Sequence, residues 1–324
     1  MRLAPVSAMN YRHAYHAGNF ADVLKHAVLA LVIEHMKRKE APFRVIDTHA
    51  GAGRYALASP EASKTGEWLG GIGRLLGPDA RPLAAPVATH LQPFLDAVRA
   101  ENAGRALRAY PGSPLIALRL MREQDVLIAN ELHPEDAASL RRAVGRDRRA
   151  KVLELDAWTA VKAVLPPKER RGVILIDPPF EDARELEQLA RGLADGLERF
   201  ATGVFLAWYP IKDPERLSPL FAAVARLGCP KLLRVELLIQ PADDAGRLNG
   251  CGLLVANPPY TLEGALAALL PELARRLAAG ARGGQHRLDW IGAAAASADK
   301  AASTTKRRVR MRPKSAPRGA RVGR

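Results

Sequence analysis

Cysteine is scarce in this chain. Its 324 residues include two, Cys229 and Cys251, which are too few for a disulfide framework and lack the spacing of metal ligands. No run of about eighteen uncharged apolar residues occurs, so no membrane-spanning helix is expected. The first twenty residues contain no apolar core of signal-peptide length. These absences argue against a membrane protein or a disulfide-rich secreted protein, and predict a cytoplasmic protein with two buried thiols.

Acidic residues are missing from the C-terminal end. Ten residues between Lys300 and Arg324 are Lys or Arg and none is acidic, which accounts for most of the net charge of +15. A basic segment rich in Ser, Pro, Gly and Ala buries too little apolar surface to offset its ordering entropy, so residues 293–324 are predicted to be a disordered tail. Such a tail attracts polyphosphate without sequence specificity, so charge permits a nucleic-acid partner but indicates no chemistry.

The rest of the chain alternates between strand-like and helical segments. Most of the strand-like runs are apolar throughout, which favours a sheet buried on both faces. Alternation of the two types predicts an α/β fold with a mostly parallel, doubly wound sheet. The seven predicted strands are 43–47, 125–131, 151–156, 172–177, 203–208, 232–240 and 252–257, and the predicted helices are 19–39, 135–145, 183–198, 214–227 and 261–278.

One connection is too long for a plain link between a strand and a helix. Residues 57–110, between the first strand's glycine-rich turn and the second strand, contain several prolines and short helical patterns. We expect them to form an inserted helical subdomain in a main domain made of residues 1–56 and 111–292. A short ordered piece around 288–291 is expected to close the fold.

A glycine-rich turn, Asp47–Gly53, follows the first strand. Open α/β sheets bind ligands at this edge, beyond the carboxyl ends of their strands. Gly51 and Gly53 allow a tight turn and a close backbone approach to a ligand. The third glycine of the dinucleotide fingerprint is absent, so a pyrophosphate site is not favoured. Taken alone, the motif fits a structural turn equally well.

Acidic residues end the next two strands. Glu131 lies where a carboxylate can accept hydrogen bonds from both hydroxyls of a nucleoside ribose. Asp156, which precedes Ala157, could accept a hydrogen bond from the exocyclic amine of an adenine ring. Each acid also suits the N-cap of a following helix, so the assignment stays open on these residues alone.

The fourth strand ends in the most specific motif, Asp177-Pro178-Pro179-Phe180. An aryl amine is a poor nucleophile, and its alkylation requires both N–H groups to be held so that the nitrogen lone pair points at an electrophilic carbon. Asp177 offers a carboxylate acceptor, and Pro178 a carbonyl whose direction the prolines fix. Phe180 offers a flat face for a flipped base. These three residues are the predicted catalytic group, with a rigid turn as the alternative.

A second tetrapeptide, Asn257-Pro258-Pro259-Tyr260, also follows a strand and is itself a known methyltransferase motif. It follows the seventh predicted strand, which we expect to lie away from the central crevice. We therefore interpret it as structural.

With these residues identified, the chain from Tyr11 to about Ile291 resembles the RlmJ family of bacterial 23S rRNA (adenine-N6) methyltransferases. Strings this long are hard to obtain by chance. The motifs that carry the resemblance are Tyr11–His13, His16–Asn19, Ala21–His26, Asp47–Tyr55, Tyr110–Pro114 and Glu131–Pro134.

The resemblance implies a Rossmann-like, seven-stranded fold, S-adenosylmethionine as methyl donor and 23S rRNA as substrate. It also implies a monomer without a metal or an obligate protein partner, and no histidine pair has the spacing of a zinc site. The implied cofactor-binding residues are His26, His49, Gly51, Gly53, Ser113, Glu131, Asp156, Ala157 and Asp177, and the implied contacts with RNA are Tyr11 and Lys25.

Three features depart from the family pattern. Phe180 replaces a tyrosine, so a hydroxyl is lost while the ring remains. Ala157 replaces a glycine beside Asp156, which tightens the predicted donor pocket. The basic tail has no counterpart. Two other function classes stay open: a methyltransferase acting on guanine N2, DNA adenine or protein glutamine, and a non-catalytic RNA-binding assembly factor.

Overall fold

The computed structural model describes residues 12–104, 106–181, 184–280 and 282–292. Within these ranges the strands fall into one large sheet and one small ribbon. In chain order they are β1 (Arg44–Asp47), β2 (Arg54–Ala56), β3 (Ala109–Pro111), β4 (Val126–Asn130), β5 (Ala150–Leu153), β6 (Gly172–Ile176), β7 (Val204–Ile211), β8 (Leu232–Leu238), β9 (Gly250–Ala256) and β10 (Gln285–Ile291).

Helices connect most of these strands, and two short 3₁₀ turns accompany them at His13–Tyr15 and Pro214–Leu217. The α-helices are α1 (Phe20–Met36), α2 (Pro60–Thr65), α3 (Glu67–Gly70), α4 (Gly73–Leu76), α5 (Ala85–Ala100), α6 (Ser113–Leu120), α7 (Pro134–Val144), α8 (Ala157–Val164), α9 (Glu185–Arg199), α10 (Ser218–Ala225) and α11 (Leu262–Leu277).

The large sheet has the order β10-β8-β9-β7-β6-β1-β4-β5. The five strands from β7 to β5 are parallel to one another. β9 runs antiparallel to both β7 and β8, and β10 is antiparallel to β8. The predicted α/β class with a mostly parallel, doubly wound sheet is therefore confirmed. The sheet has eight strands instead of seven, because the piece expected around 288–291 is a full edge strand.

Apolar layers cover both faces of the sheet, as the continuous hydrophobic strands require. One layer contains α1, α5, α6 and α11, and the other contains α8, α9 and α10. Helix α5, which lies within the 57–110 segment, contributes Leu91, Phe94 and Val98 to the same core as α1 and α11. That segment therefore shares the main hydrophobic core instead of forming one of its own.

Helix α1 brings residues from the start of the described chain to the sheet edge where the parallel strands end. The Asn19 side chain begins it, accepting hydrogen bonds from the backbone N–H groups of Ala21 and Asp22, as N-cap residues do. Most of α1 is buried because α5, α6 and α11 pack around it. Its first two turns place Asp22, Lys25 and His26 inside the protein.

The predicted tail, residues 293–324, and Tyr11 lie outside the described residues. Among the helices of the described ranges, none combines the length and apolarity that a membrane crossing needs.

Candidate active site

The carboxyl ends of β1, β4, β5 and β6 surround a cavity of about 240 Å³. Open α/β sheets form their ligand crevice at this edge. Nine of the residues predicted for the site line the cavity: Lys25, His26, His49, Gly51, Ser113, Glu131, Asp156, Ala157 and Asp177. Gly53, Pro178 and Phe180 are not among the lining residues.

Glu131 is fixed by backbone groups on two sides. Its Oε2 accepts from the Gly51 N–H and its Oε1 from the His133 N–H, both at 2.8 Å. Burial raises the pKa of Glu131, and these two hydrogen bonds oppose that shift. Each carboxylate oxygen has a further lone pair, so the held carboxylate can still accept from a pair of hydroxyls.

The two glycines of the turn have different surroundings. Both have positive φ values, +62° at Gly51 and +78° at Gly53. A Cβ at Gly51 would collide with the Tyr55 hydroxyl, and one at Gly53 would approach Leu140 Cδ1 to 2.9 Å. Gly51 therefore shapes the cavity wall, whereas Gly53 allows the turn to pack against α7.

Asp156 caps α8, which was the alternative interpretation of this acid. Its Oδ1 accepts from the Thr159 N–H at 2.9 Å and from the Thr159 hydroxyl at 3.1 Å. Among the described residues, its Oδ2 has no hydrogen-bond partner. The capping role and a ligand-binding role can therefore coexist. Ala157, the first residue of α8, is buried beside it.

Asp177 is paired with a cation that comes from a distant part of the chain. Lys25 Nζ lies 2.5 Å from Asp177 Oδ2 and 2.9 Å from Asp22 Oδ1. Burial opposes the charge on Lys25, but Asp177 and Asp22 together raise its pKa well above the usual range. Burial would also raise the pKa of Asp22, yet its interactions with His13 and Lys25 hold it well below its usual value. Lys25 is thus a buried, permanently charged group at Asp177.

Of the other three residues of the tetrapeptide, only Pro179 lines the cavity. Pro178 is buried, and the Phe180 ring packs against Trp208 with centroids 5.5 Å apart. Phe180 has a φ of +54°, which is strained for an aromatic residue and is often found at functional sites. The structure therefore brings Asp177 into the cavity and directs the Phe180 ring towards Trp208.

Two histidines of the cavity are neutral at physiological pH. His26 is buried, and its Nδ1 lies 2.7 Å from the Tyr110 hydroxyl. Burial lowers the pKa of His26 to about 3 and that of His49 to about 4. The His49 ring contacts Trp158 edge to face at 5.8 Å. Neither ring therefore carries charge into the cavity.

Sequence reasoning missed two polar residues at the strand ends. Asn130, at the end of β4, donates to the carbonyls of Thr48 and Leu155 and accepts from the Leu155 N–H, which links three strand ends. Asp47, at the end of β1, is buried, and burial raises its pKa to about 6 although the Ser113 hydroxyl opposes the shift. Both residues lie at the end of a predicted strand, which is the same sequence signal that identified Glu131, Asp156 and Asp177.

The polar atoms of the site fit a ligand with several polar groups. His26 Nε2, Asp47 Oδ2 and His133 Nδ1 are buried without a hydrogen-bond partner among the described residues. Buried polar atoms are rarely left unsatisfied, and those that are often mark a ligand site. Within the same residues, no group of three or more His, Cys, Asp or Glu side chains is placed to hold a metal ion.

The second tetrapeptide lies at the opposite edge of the sheet. Because β9 is antiparallel to β7, its end pairs with the beginning of that strand. Asn257 has a φ of +53° and its amide donates to the carbonyls of Ala201 and Gly203. This geometry agrees with the structural interpretation of Asn257.

Comparisons with known proteins point in one direction. A family model described as "Ribosomal RNA large subunit methyltransferase D, RlmJ" matches residues 40–292. Two proteins named "Ribosomal RNA large subunit methyltransferase J" are similar over 87% of this chain and 99% of their own length: one from Escherichia coli K12 at 43% identity and one from Haemophilus influenzae at 40%. A crystal structure of a Legionella pneumophila protein matches with a TM-score of 0.77 and 28% identity, covering 85% of this chain and 98% of that one.

Proposed function

We propose that this chain, which belongs to the RlmJ family of ribosomal RNA large subunit methyltransferases, methylates the N6 amino group of an adenine in 23S rRNA. Family membership makes it an S-adenosylmethionine-dependent rRNA methyltransferase with a Rossmann-like fold. The acceptor atom and the residues that act on it are our proposal. The observation that carries it is the position of Asp177, in one cavity with Glu131 and Asp156.

The cavity residues divide into groups that suit the parts of the cofactor. Glu131 would bind the ribose hydroxyls, and Asp156 with Ala157 would bind the adenine. His26, His49 and Ser113 would surround the methionine part, and the unpaired His26 Nε2 supports that position. When bound, S-adenosylmethionine supplies an electrophilic methyl group on a sulfonium.

Asp177 and Pro178 would hold the target amine. The Asp177 carboxylate accepts one N–H of the adenine and the Pro178 carbonyl accepts the other, which directs the nitrogen lone pair at the methyl carbon. Methyl transfer would release S-adenosylhomocysteine as the leaving group, and the amine would lose one proton, which Asp177 would accept and pass to solvent. Positioning and electrostatics supply the catalysis, so no covalent enzyme intermediate is required.

Lys25 would hold the Asp177 carboxylate in place. Its ammonium is buried between Asp177 and Asp22, so its predicted contact with RNA would be with the target adenine and not with an exposed phosphate. Phe180 stays a predicted stacking residue, for which a rotation away from Trp208 would be needed. Tyr11 stays a predicted RNA contact.

We further propose that the protein acts in the cytoplasm as a monomer, with no obligate protein partner.

The test is transfer of tritium from labelled S-adenosylmethionine to unmodified 23S rRNA, followed by nucleoside chromatography. Label in N6-methyladenosine is the expected result. Label in another nucleoside would keep the reaction and overturn the acceptor. Absence of label with the cofactor bound would favour another substrate or a binding protein.

A further inference from the structure

An exposed aromatic side chain lies far from the catalytic cavity. Tyr260 is 83% exposed, and it is the one aromatic among the exposed large hydrophobic side chains of the described residues. It follows β9, at the sheet edge opposite the cavity. The catalytic proposal gives this side chain no role, and its neighbour Asn257 makes the structural hydrogen bonds of the tetrapeptide.

The Tyr260 ring is oriented although it is exposed. Arg38 Nη1 donates to its hydroxyl at 3.0 Å, and the Arg38 guanidinium carbon lies 6.0 Å from the ring centroid. The His35 ring contacts it edge to face at 5.1 Å, while His35 Nδ1 lies 2.9 Å from Thr261 Oγ1. A ring held in this way can receive a stacking partner at little further entropic cost.

A groove of about 480 Å³ lies beside this ring, between the end of α1, the middle of α5 and the beginning of α11. Its charged lining residues are Lys37, Arg38 and Glu34, with the histidines His35 and His90. Glu34 is paired with Lys37 at 2.6 Å. The exposed Lys39 and Glu40 follow on the chain with opposite charges, which leaves Arg38 as the excess charge. The unpaired charge at this groove is therefore positive.

We propose that the groove and Tyr260 form a second RNA contact, in which an unpaired nucleotide stacks on Tyr260 and its phosphates lie against Arg38 and Lys39. An aromatic face beside basic side chains is the usual arrangement for binding single-stranded nucleic acid. The proposal rests on RNA being the substrate, as proposed above. It assigns to Tyr260 a contact separate from the target adenine.

The distance between the two sites sets the length of RNA that can reach both. Arg38 lies thirteen positions after Lys25 and two residues beyond the end of α1, which corresponds to about 20 Å along the helix axis. At the rise of a fully stacked strand, about 3.4 Å per nucleotide, this span corresponds to roughly six nucleotides. β10 also ends at this edge, because Ile291 pairs with Leu232 at the beginning of β8.

The test compares two RNAs: unmodified 23S rRNA and its shortest fragment that still accepts a methyl group. The full chain is compared with Tyr260→Ala, Tyr260→Phe and Arg38→Gln, measuring Kd, KM and kcat. The matched control is Arg226→Gln, which removes an exposed arginine from the other face of the sheet.

Tyr260→Ala should raise Kd and KM for 23S rRNA at least about fivefold, the lower end of the effect of removing one stacked base. Its kcat, and its Kd for the short fragment, should equal those of the wild type. Tyr260→Phe keeps the ring and should bind within about twofold of the wild type, as should the control. Arg38→Gln should weaken binding to 23S rRNA and flatten its salt dependence.

Three results would overturn the proposal. The first is unchanged binding of 23S rRNA by Tyr260→Ala, and the second is an equal loss on both RNAs. The third is a change in the oligomeric state of Tyr260→Ala in sedimentation, which would show that the Tyr260 ring is a contact between two copies of this chain. If the wild type methylates neither RNA, the proposed function fails, whereas the binding comparison on 23S rRNA still tests this surface.

Discussion

Replacing Asp47 by Asn should change how the stability of the free enzyme depends on pH. Asp47 is buried at the end of β1, and burial raises its pKa from 3.8 to about 6. Between these two values the folded state holds a proton that the unfolded state has released. Stability that is present at low pH is therefore lost as the pH rises through the folded-state pKa.

The magnitude follows from the size of the shift. A shift of about two pKa units lowers the free energy of unfolding by about 3 kcal/mol once Asp47 is ionised in both the folded and the unfolded protein. Roughly half of this, about 1.4 kcal/mol, is lost between pH 5 and pH 8. Asn at this position does not titrate. The free energy of unfolding of Asp47→Asn, relative to the wild type, should therefore rise by about 1.4 kcal/mol from pH 5 to pH 8.

Urea unfolding of the cofactor-free proteins at several pH values measures this difference directly. The change in Tm difference over the same range should be about 2 °C for a protein of 324 residues. Asp79→Asn, which removes an exposed carboxylate, is the control and should follow the wild type. A constant difference between Asp47→Asn and the wild type from pH 5 to pH 8 would refute the assignment of the raised pKa to Asp47.

Three further predictions address the charged groups of the site and the tail. Asp177→Ala should retain cofactor binding while turnover falls by about 100-fold or more; turnover within a few-fold of the wild type would mean that the acceptor lies elsewhere. Lys25→Met leaves the carboxylates of Asp22 and Asp177 without their cation, so urea unfolding should show a loss of about 3–5 kcal/mol; a loss below about 1 kcal/mol would contradict a buried ion pair. Deletion of residues 300–324 should flatten the salt dependence of RNA binding, and an unchanged slope would show that the tail does not contact RNA.

The alternation of apolar runs and helical periods predicted most of the sheet, because parallel strands buried on both faces must be continuously hydrophobic. It missed α6 and α8, each of eight residues. It also missed the first half of β10, where exposed Gln285, His286 and Arg287 give no apolar signal. An edge strand with a polar beginning depends on its pairing with β8, which local sequence does not encode.

The position of acidic residues at strand ends predicted the acids of the candidate site, but not the side chains that contact the predicted site residues. The ion pair between Lys25 and Asp177 joins residues 152 positions apart, and a lysine in the first turns of a helix is ordinarily exposed. The direction of the Phe180 ring could not be predicted from the sequence either, because it depends on a contact with Trp208 in the neighbouring strand. Chemistry that resides in one segment could be predicted, and chemistry that needs two segments could not.

The ribbon of β2 and β3 brings the two ends of the 57–110 segment together. Arg54 pairs with Pro111 and Ala56 with Ala109, so the ends of the segment are neighbours, and chain geometry would let a short hairpin turn replace everything between them. Packing does not allow the same exchange, because Leu91, Phe94 and Val98 of α5 fill the core against α1. The outer helices and loops of the segment can therefore be shortened without opening the core, whereas removal of α5 would expose the helix that carries Lys25.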